Sequence, residues 1–262
     1  MILFLDSGVG GAIYLERFRA EESGHETVYL ADTAGFPYGE RDPDWVKRRV
    51  CGLVEGVADR LPLTAVVLAC NTASVVALAE LRKRIDLPVV GTVPAVKPAA
   101  ALTRTRRIAL LATTRTAEDP YTRELVAQFA RFARVQRLGL PELVRAAEAF
   151  RCSGDTAEVQ TVIARDIRAR LEPDVDTVVL ACTHFVRFRP LVESELGSGV
   201  RVVDSLEGVV RRLIDVAPSC SDAARAEASK RSAPRWFHSG GGFSACRADP
   251  REWQYWNPGG SP

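Results

Sequence analysis

No C-x-x-C pair occurs in this 262-residue chain, although it holds six cysteines, Cys51, Cys70, Cys152, Cys182, Cys220 and Cys246. That excludes the usual zinc ribbon and redox dithiol signatures. Histidine is scarce, and His25, His184 and His238 are too scattered to suggest a metal cluster. Neither sign of charge dominates: 35 Lys and Arg stand against 33 Asp and Glu, so neither nucleic acid nor a membrane is expected as a partner. Long apolar runs are missing as well. The start, Met1-Ile2-Leu3-Phe4-Leu5, meets Asp6 too early for a secretion signal or a membrane span, and the expected location is cytoplasmic, with free thiols. Ser7-Gly8-Val9-Gly10-Gly11 lacks the spacing of a phosphate or dinucleotide loop. It reads as a tight strand-to-helix turn, and no cofactor is expected.

What the chain does have is a repeat. Val66-Val67-Leu68-Ala69-Cys70 recurs letter for letter as Val178-Val179-Leu180-Ala181-Cys182, and a threonine follows each cysteine closely, at Thr72 and Thr183. Each run is short, β-branched and bounded by polar residues, the pattern of a buried strand that delivers its cysteine at the carboxyl end. Ligands of open α/β sheets bind at that end. Two such half-sites facing one small molecule suit a reaction that needs a thiol on each face, such as inversion of a stereocentre.

Strand-like runs fall near 2–5, 27–31, 65–69, 88–91, 107–112, 134–138, 177–181, 200–203 and 235–238, mostly separated by helix-length segments. Asp42-Pro43 and Asp119-Pro120 each supply a cap and a first-turn proline, predicting helices over 43–60 and 120–132. Alternation of this kind implies an α/β fold of mainly parallel sheets flanked by helices. The repeat predicts two pseudo-symmetric lobes with the active site in the cleft between them. The first spans 1–97 and is completed by 206–262; the second spans 98–205. The returning part is expected to hold a helix over 206–217, a surface helix within 218–234 and a short edge strand at 235–238. The last stretch has turn residues and no periodicity, with Trp253, Tyr255 and Trp256 as packing anchors of a loose tail.

Several ordered segments carry a resemblance: Leu5-Asp6-Ser7-Gly8-Val9-Gly10-Gly11, Leu30-Ala31-Asp32-Thr33, Phe36-Pro37-Tyr38-Gly39-Glu40, Ala69-Cys70-Asn71-Thr72-Ala73-Ser74, Val93-Pro94-Ala95-Val96-Lys97-Pro98-Ala99, Cys182-Thr183-His184-Phe185 and Val203-Asp204-Ser205. Together they resemble the signature segments of the glutamate racemases, in the cofactor-independent aspartate/glutamate racemase superfamily. The resemblance runs from residue 2 to about 205. It implies interconversion of L- and D-glutamate for peptidoglycan and cell-wall synthesis, with small-molecule substrate alone as partner and a possible homodimer.

By the same resemblance Cys70, with Asp6 nearby, abstracts the α-proton of the D-isomer, and Cys182, with His184 and Glu148, that of the L-isomer. Substrate contacts are implied at Asp6, Ser7, Pro37, Tyr38, Gly39, Cys70, Asn71, Thr72, Thr116, Cys182, Thr183 and His184, and Asp32 is implied as a charge that orients a thiol or the substrate ammonium. The residue types suit the task. An α-hydrogen beside a carboxylate is a very weak acid, so a close, desolvated base and a matching acid on the opposite face are needed. A thiol with a free pKa of about 8.5 reaches its thiolate near neutrality at a helix start or beside a cation.

Read without the resemblance, a cysteine ending an apolar strand is a core residue, Asp6 caps a turn, and Tyr38 packs in one. Cys51, Cys152, Cys220, Cys246, His25 and His238 keep that structural reading. The chain also departs from its relatives. Arg115 stands where they carry a glycine, Ala117-Glu118-Asp119-Pro120 replaces a segment with a lysine and serine and adds an acidic pair, and Val186-Arg187-Phe188 replaces a proline and leucines. Because the chain starts at its first strand, no activator site is expected in an amino-terminal extension. Three alternatives stay open: a racemase for aspartate or another acidic amino acid, a cysteine hydrolase using Cys182 and His184, and a non-catalytic binding protein on the same scaffold.

Overall fold

Nine of the apolar runs form strands where the pattern places them: β1 (Ile2–Asp6), β2 (Thr27–Ala31), β3 (Ala65–Leu68), β4 (Val89–Gly91), β5 (Arg107–Ala112), β6 (Arg134–Gly139), β7 (Thr177–Ala181), β8 (Arg201–Val203) and β9 (Arg235–His238). A tenth, β10 (Trp253–Tyr255), was not expected. The structure is a computed structural model that describes residues 1–22, 24–217, 233–240 and 251–256.

All strand pairs among the described residues are parallel. One sheet has the order β10-β9-β2-β1-β3-β4 and the other β6-β5-β7-β8. The core order β2-β1-β3-β4 is therefore repeated as β6-β5-β7-β8, so the two sheets are equivalent apart from β9 and β10 on the first. β1, β2, β3 and β7 are buried at every residue, as expected for parallel strands covered by helices on both faces. The repeated pentapeptides occupy equivalent strands: Leu68 lies opposite Leu5 of β1, and Leu180 opposite Leu111 of β5.

Helix starts follow the capping residues. Asp42 accepts the Trp45 N–H at 2.9 Å and opens Pro43–Ala58, and Asp119 accepts the Tyr121 N–H at 2.9 Å and opens Pro120–Phe129. Helix Val96–Leu102 packs in a core with β5 and β7. Helix Leu206–Val216 returns to the first sheet, where Val209, Val210 and Leu213 join Ile2, Phe4 and Leu15.

Two expectations for the end of the chain change. β9 is not an edge strand, because β10 pairs outside it, Trp253 opposite Trp236. Three residues are too few to show a periodicity; the strand is held by aromatic packing, with ring centroids 5.4 Å apart for Trp236 and Trp253 and 5.2 Å for Trp236 and Tyr29. Trp253 and Trp256 are thus packed, while Tyr255 is 59% exposed. The surface helix expected within 218–234 falls almost wholly outside the described residues, as do Gly241, Gly242 and Asn257 to Gly260. Cys51, Cys70 and Cys182 are free, but Cys152 is disulfide-bonded, contrary to the expectation of free thiols throughout. Cellular compartment alone does not reveal which sulfurs a fold brings together. Among the described residues no helix is long and apolar enough to cross a membrane.

Candidate active site

In a 2-1-3-4 strand order, the crevice forms between the carboxyl ends of the first and third strands, where successive connections leave in opposite directions. Here those ends carry Asp6 and Cys70 in one lobe, Thr113 and Cys182 in the other. Each cysteine is the extended residue just before a helix, Asn71–Arg84 or Thr183–Val186. Both are buried, and each sulfur lies close enough for the charge of Cys182 to act on Cys70.

The two half-sites meet through specific contacts. Asp6 is fully buried: its Oδ1 accepts the Ser7 N–H and its Oδ2 the Gly11 N–H, both at 2.7 Å. Thr183 of the other lobe donates to the same Oδ2 at 3.5 Å. The Cys70 thiol hydrogen-bonds Asp6, and Ser7 Oγ lies 3.9 Å from its sulfur. Across the cleft Cys182 Sγ is 3.9 Å from His184 Nδ1, while His184 Nε2 is 2.7 Å from Glu148 Oε2. That carboxylate also accepts the Val9 N–H at 3.2 Å, tying helix Pro141–Ser153 to the Gly8–Gly11 turn.

A third contact joins hydroxyls. Thr72 Oγ1 lies 3.0 Å from Thr113 Oγ1 and 3.2 Å from Thr116 Oγ1, and Thr113 donates to Thr116 at 3.1 Å. Asn71 donates to Thr92 O at 2.7 Å, and its buried Oδ1 has no hydrogen-bond partner among the described residues. Pro37 and Gly39 face Thr113, Pro141 and Val144 across a narrow crevice. The Tyr38 hydroxyl donates to Asp32 at 2.6 Å.

Asp32 therefore acts elsewhere than expected: its hydrogen bonds go to Tyr38, Arg49 and Ser239. Three contributors escaped the sequence reading. Thr113 is one, although it follows β5 in the position that Ser7 holds after β1. Tyr29 is another, donating to Gly8 O at 3.0 Å and to Asp6 at 3.3 Å. The Val9 amide is the third, and a backbone donor leaves no trace in a sequence.

The departures from the relatives are absorbed locally. Arg115 lies inside helix Thr114–Glu118 and has no positive φ, so no glycine is needed there. Glu118 is exposed, and Asp119 serves as a helix cap. Val186 and Phe188 enter the core of the second lobe, and Arg187 lies 3.7 Å from Glu16.

The protonation states of the half-sites differ. Burial pushes the Cys70 thiol well above its ordinary range, and the Asp6 charge adds to this. The helix start does not overcome these effects, so the expected lowering is absent at Cys70. Burial also raises Asp6, against the His184 charge and the Gly11 N–H, which act to lower it. At His184 burial acts downward, but its hydrogen bonds to Cys182 and Glu148 prevail and hold the imidazolium well above the ordinary range. Burial acts upward on Glu148, and the His184 hydrogen bond and charge outweigh it, leaving the carboxyl below its ordinary value. One half-site thus holds a protonated thiol beside a buried carboxyl group. The other holds a sulfur beside a cationic N–H donor. Among the described residues no cluster of His, Cys, Asp or Glu is arranged to hold a metal.

Known proteins share this arrangement of sequence and fold. The model of the Asp/Glu/hydantoin racemase family matches residues 14–213. A glutamate racemase of Klebsiella pneumoniae is 41% identical over 213 residues, covering 80% of this chain and 75% of the relative. One from Sphingopyxis alaskensis is 43% identical over 216 residues, covering 81% and 80%. The crystal structure of Escherichia coli glutamate racemase, in complex with L-glutamate and the activator UDP-MurNAc-Ala, superposes with a TM-score of 0.81 at 38% identity, covering 91% of this chain and 88% of that one. With most of its length matched in both sequence and fold, the chain belongs to the Asp/Glu/hydantoin racemase family.

Proposed function

We propose that the protein is an isomerase that interconverts L- and D-glutamate by two-base proton transfer at the α-carbon, supplying D-glutamate for peptidoglycan. Its glutamate racemase relatives support the substrate. The observation that carries the chemistry is the unequal pair of thiols: Cys70 held protonated by burial and Asp6, and Cys182 beside the His184 imidazolium.

In the L-to-D direction, the Cys182 thiolate takes the α-proton and the Cys70 thiol delivers its own proton to the opposite face. The products are D-glutamate, a Cys182 thiol and a Cys70 thiolate, so atoms and charge balance. In the reverse direction Cys70 must start as the thiolate. Asp6, whose own affinity for a proton is raised by burial, is the group positioned to receive the thiol proton. Asn71 Oδ1 offers a buried acceptor to the substrate ammonium, and Ser7, Thr72, Thr116 and Thr183 offer hydroxyl donors to its carboxylates. Pro37 and Gly39 form the wall opposite Thr113, and Tyr38 backs them through its hydrogen bond to Asp32. The cytoplasm is the compartment for such a reaction, and a homodimer is the proposed assembly.

A cysteine hydrolase is the weaker reading. His184, held as the imidazolium by Glu148, has no lone pair free to act as base for Cys182. Incubation of L-glutamate with the protein in deuterated water, without added cofactor, is expected to give D-glutamate labelled at the α-carbon. Unlabelled substrate and no D-isomer after long incubation would overturn the proposed function.

A further inference from the structure

Asp32 closes β2 with a fully buried carboxylate that collects four donors. Arg49 approaches with both prongs, Nε at 2.9 Å from Oδ2 and Nη2 at 2.7 Å from Oδ1. Tyr38 donates to Oδ2 at 2.6 Å, and the Ser239 hydroxyl donates to Oδ1. Ser239 comes from the turn after β9, beyond the residues matched by the family model. Its Oγ also accepts the Ala34 N–H at 3.2 Å, its own N–H donates to Ala31 O at 3.1 Å, and the Gly240 N–H donates to Thr33 Oγ1 at 2.9 Å. The turn after β9 is thus stitched to the root of the segment 33–39.

That segment spans the cleft. Phe36 packs against His184 with ring centroids 5.8 Å apart. Gly39 lies so close to Thr113 that a Cβ would stand 2.7 Å from the Thr113 Cβ. There is little slack at the root either, since a Cβ on Gly35 would meet Asp32 Oδ2 at 2.6 Å and Tyr38 Cε1 at 2.7 Å. Removing one donor from Asp32 frees the carboxylate to rotate, and the Tyr38 hydroxyl with it.

We propose that Ser239, together with Arg49, is a positioning residue: it clamps Asp32, and through Asp32 and Tyr38 sets the segment 36–39 against His184 and Thr113. The residues that follow β9 thereby govern how tightly substrate is held. Ser239 touches neither thiol and moves no proton. This inference rests on the reading of the cleft as a glutamate site.

The test compares the wild type with Ser239→Ala, Ser239→Thr and Arg49→Lys, using glutamate kinetics and amide hydrogen exchange of peptides covering 33–40. Ser239→Ala is expected to raise KM about fivefold while kcat stays within about twofold, the signature of lost positioning rather than lost chemistry. Exchange over 33–40 should quicken, while exchange over 107–112 stays as in the wild type. Ser239→Thr, which keeps the hydroxyl, should behave as the wild type. Arg49→Lys keeps the charge but loses the fork, and should shift KM and exchange as Ser239→Ala does. Unchanged KM and exchange in both Ser239→Ala and Arg49→Lys would overturn the inference, as would equal losses in the alanine and threonine variants. If the wild type fails to turn over glutamate, the proposed function falls, and the exchange comparison alone decides whether Ser239 positions the segment.

Discussion

His184 Nε2 lies 2.7 Å from Glu148 Oε2, and this contact fixes both the charge and the direction of the imidazole. With Nε2 engaged by the carboxylate, Nδ1 is the nitrogen left facing Cys182. An imidazolium held this way is a source of positive charge and of an N–H donor. It is not a base.

The pair makes stability depend on pH. The folded-state pKa of His184 is raised above its ordinary 6.5, so its contribution is complete below about pH 6.5 and is lost as pH rises through the raised value. Glu148 is lowered from 4.5, so its contribution is complete above about pH 4.5 and is lost as pH falls through the lowered value. Glu148→Gln, which leaves the imidazolium buried without a counter-charge, should cost about 3 kcal/mol in that window. Thermal melts of both proteins across pH should show the largest gap between about pH 4.5 and 6.5, closing on the alkaline side as His184 deprotonates. A gap independent of pH would mean that the ion pair is not its source.

Cys70→Ala and Cys182→Ala should each abolish racemisation in both directions, because the loss of either sulfur removes the acid from one direction and the base from the other. The expected fall in kcat/KM is about a thousandfold or more. Chiral chromatography of the product from each enantiomer provides the measurement. Full activity in either variant would exclude the two-thiol scheme.

Gly10→Ala tests the seam between the lobes. A Cβ there would stand 2.5 Å from His184 Nδ1 and 2.7 Å from its backbone nitrogen, so the histidine or the turn must shift. Displacement of about 1 Å near the reacting groups is expected to lower the rate about a hundredfold. Circular dichroism should show the fold retained. Wild-type rates would mean that His184 does not need the position found here.

Much of this was legible in the residues themselves. The duplicated Val-Val-Leu-Ala-Cys announces a buried strand with a cysteine at its carboxyl end, since β-branched runs and their polar borders act over a few residues. Asp42-Pro43 and Asp119-Pro120 announce their helices for the same reason. Glu148 came into view only through resemblance to relatives, because nothing in helix Pro141–Ser153 signals that one of its carboxylates will meet a histidine.

Other features depend on packing between residues remote in the chain. Asp32 and Ser239 are 207 positions apart, and no local pattern pairs them. Thr113 reads as a helix cap until Thr72 of the other lobe arrives 3.0 Å away. β10 is too short to carry a periodic signal and exists because Trp253 finds Trp236. Residue order determined the strands, their repeat and the cysteines at their ends, since these follow from backbone preference and side-chain pattern. Only the closed fold decided that Cys70 keeps its proton, because that depends on exclusion of water and on the Asp6 charge that a distant segment brings beside its sulfur.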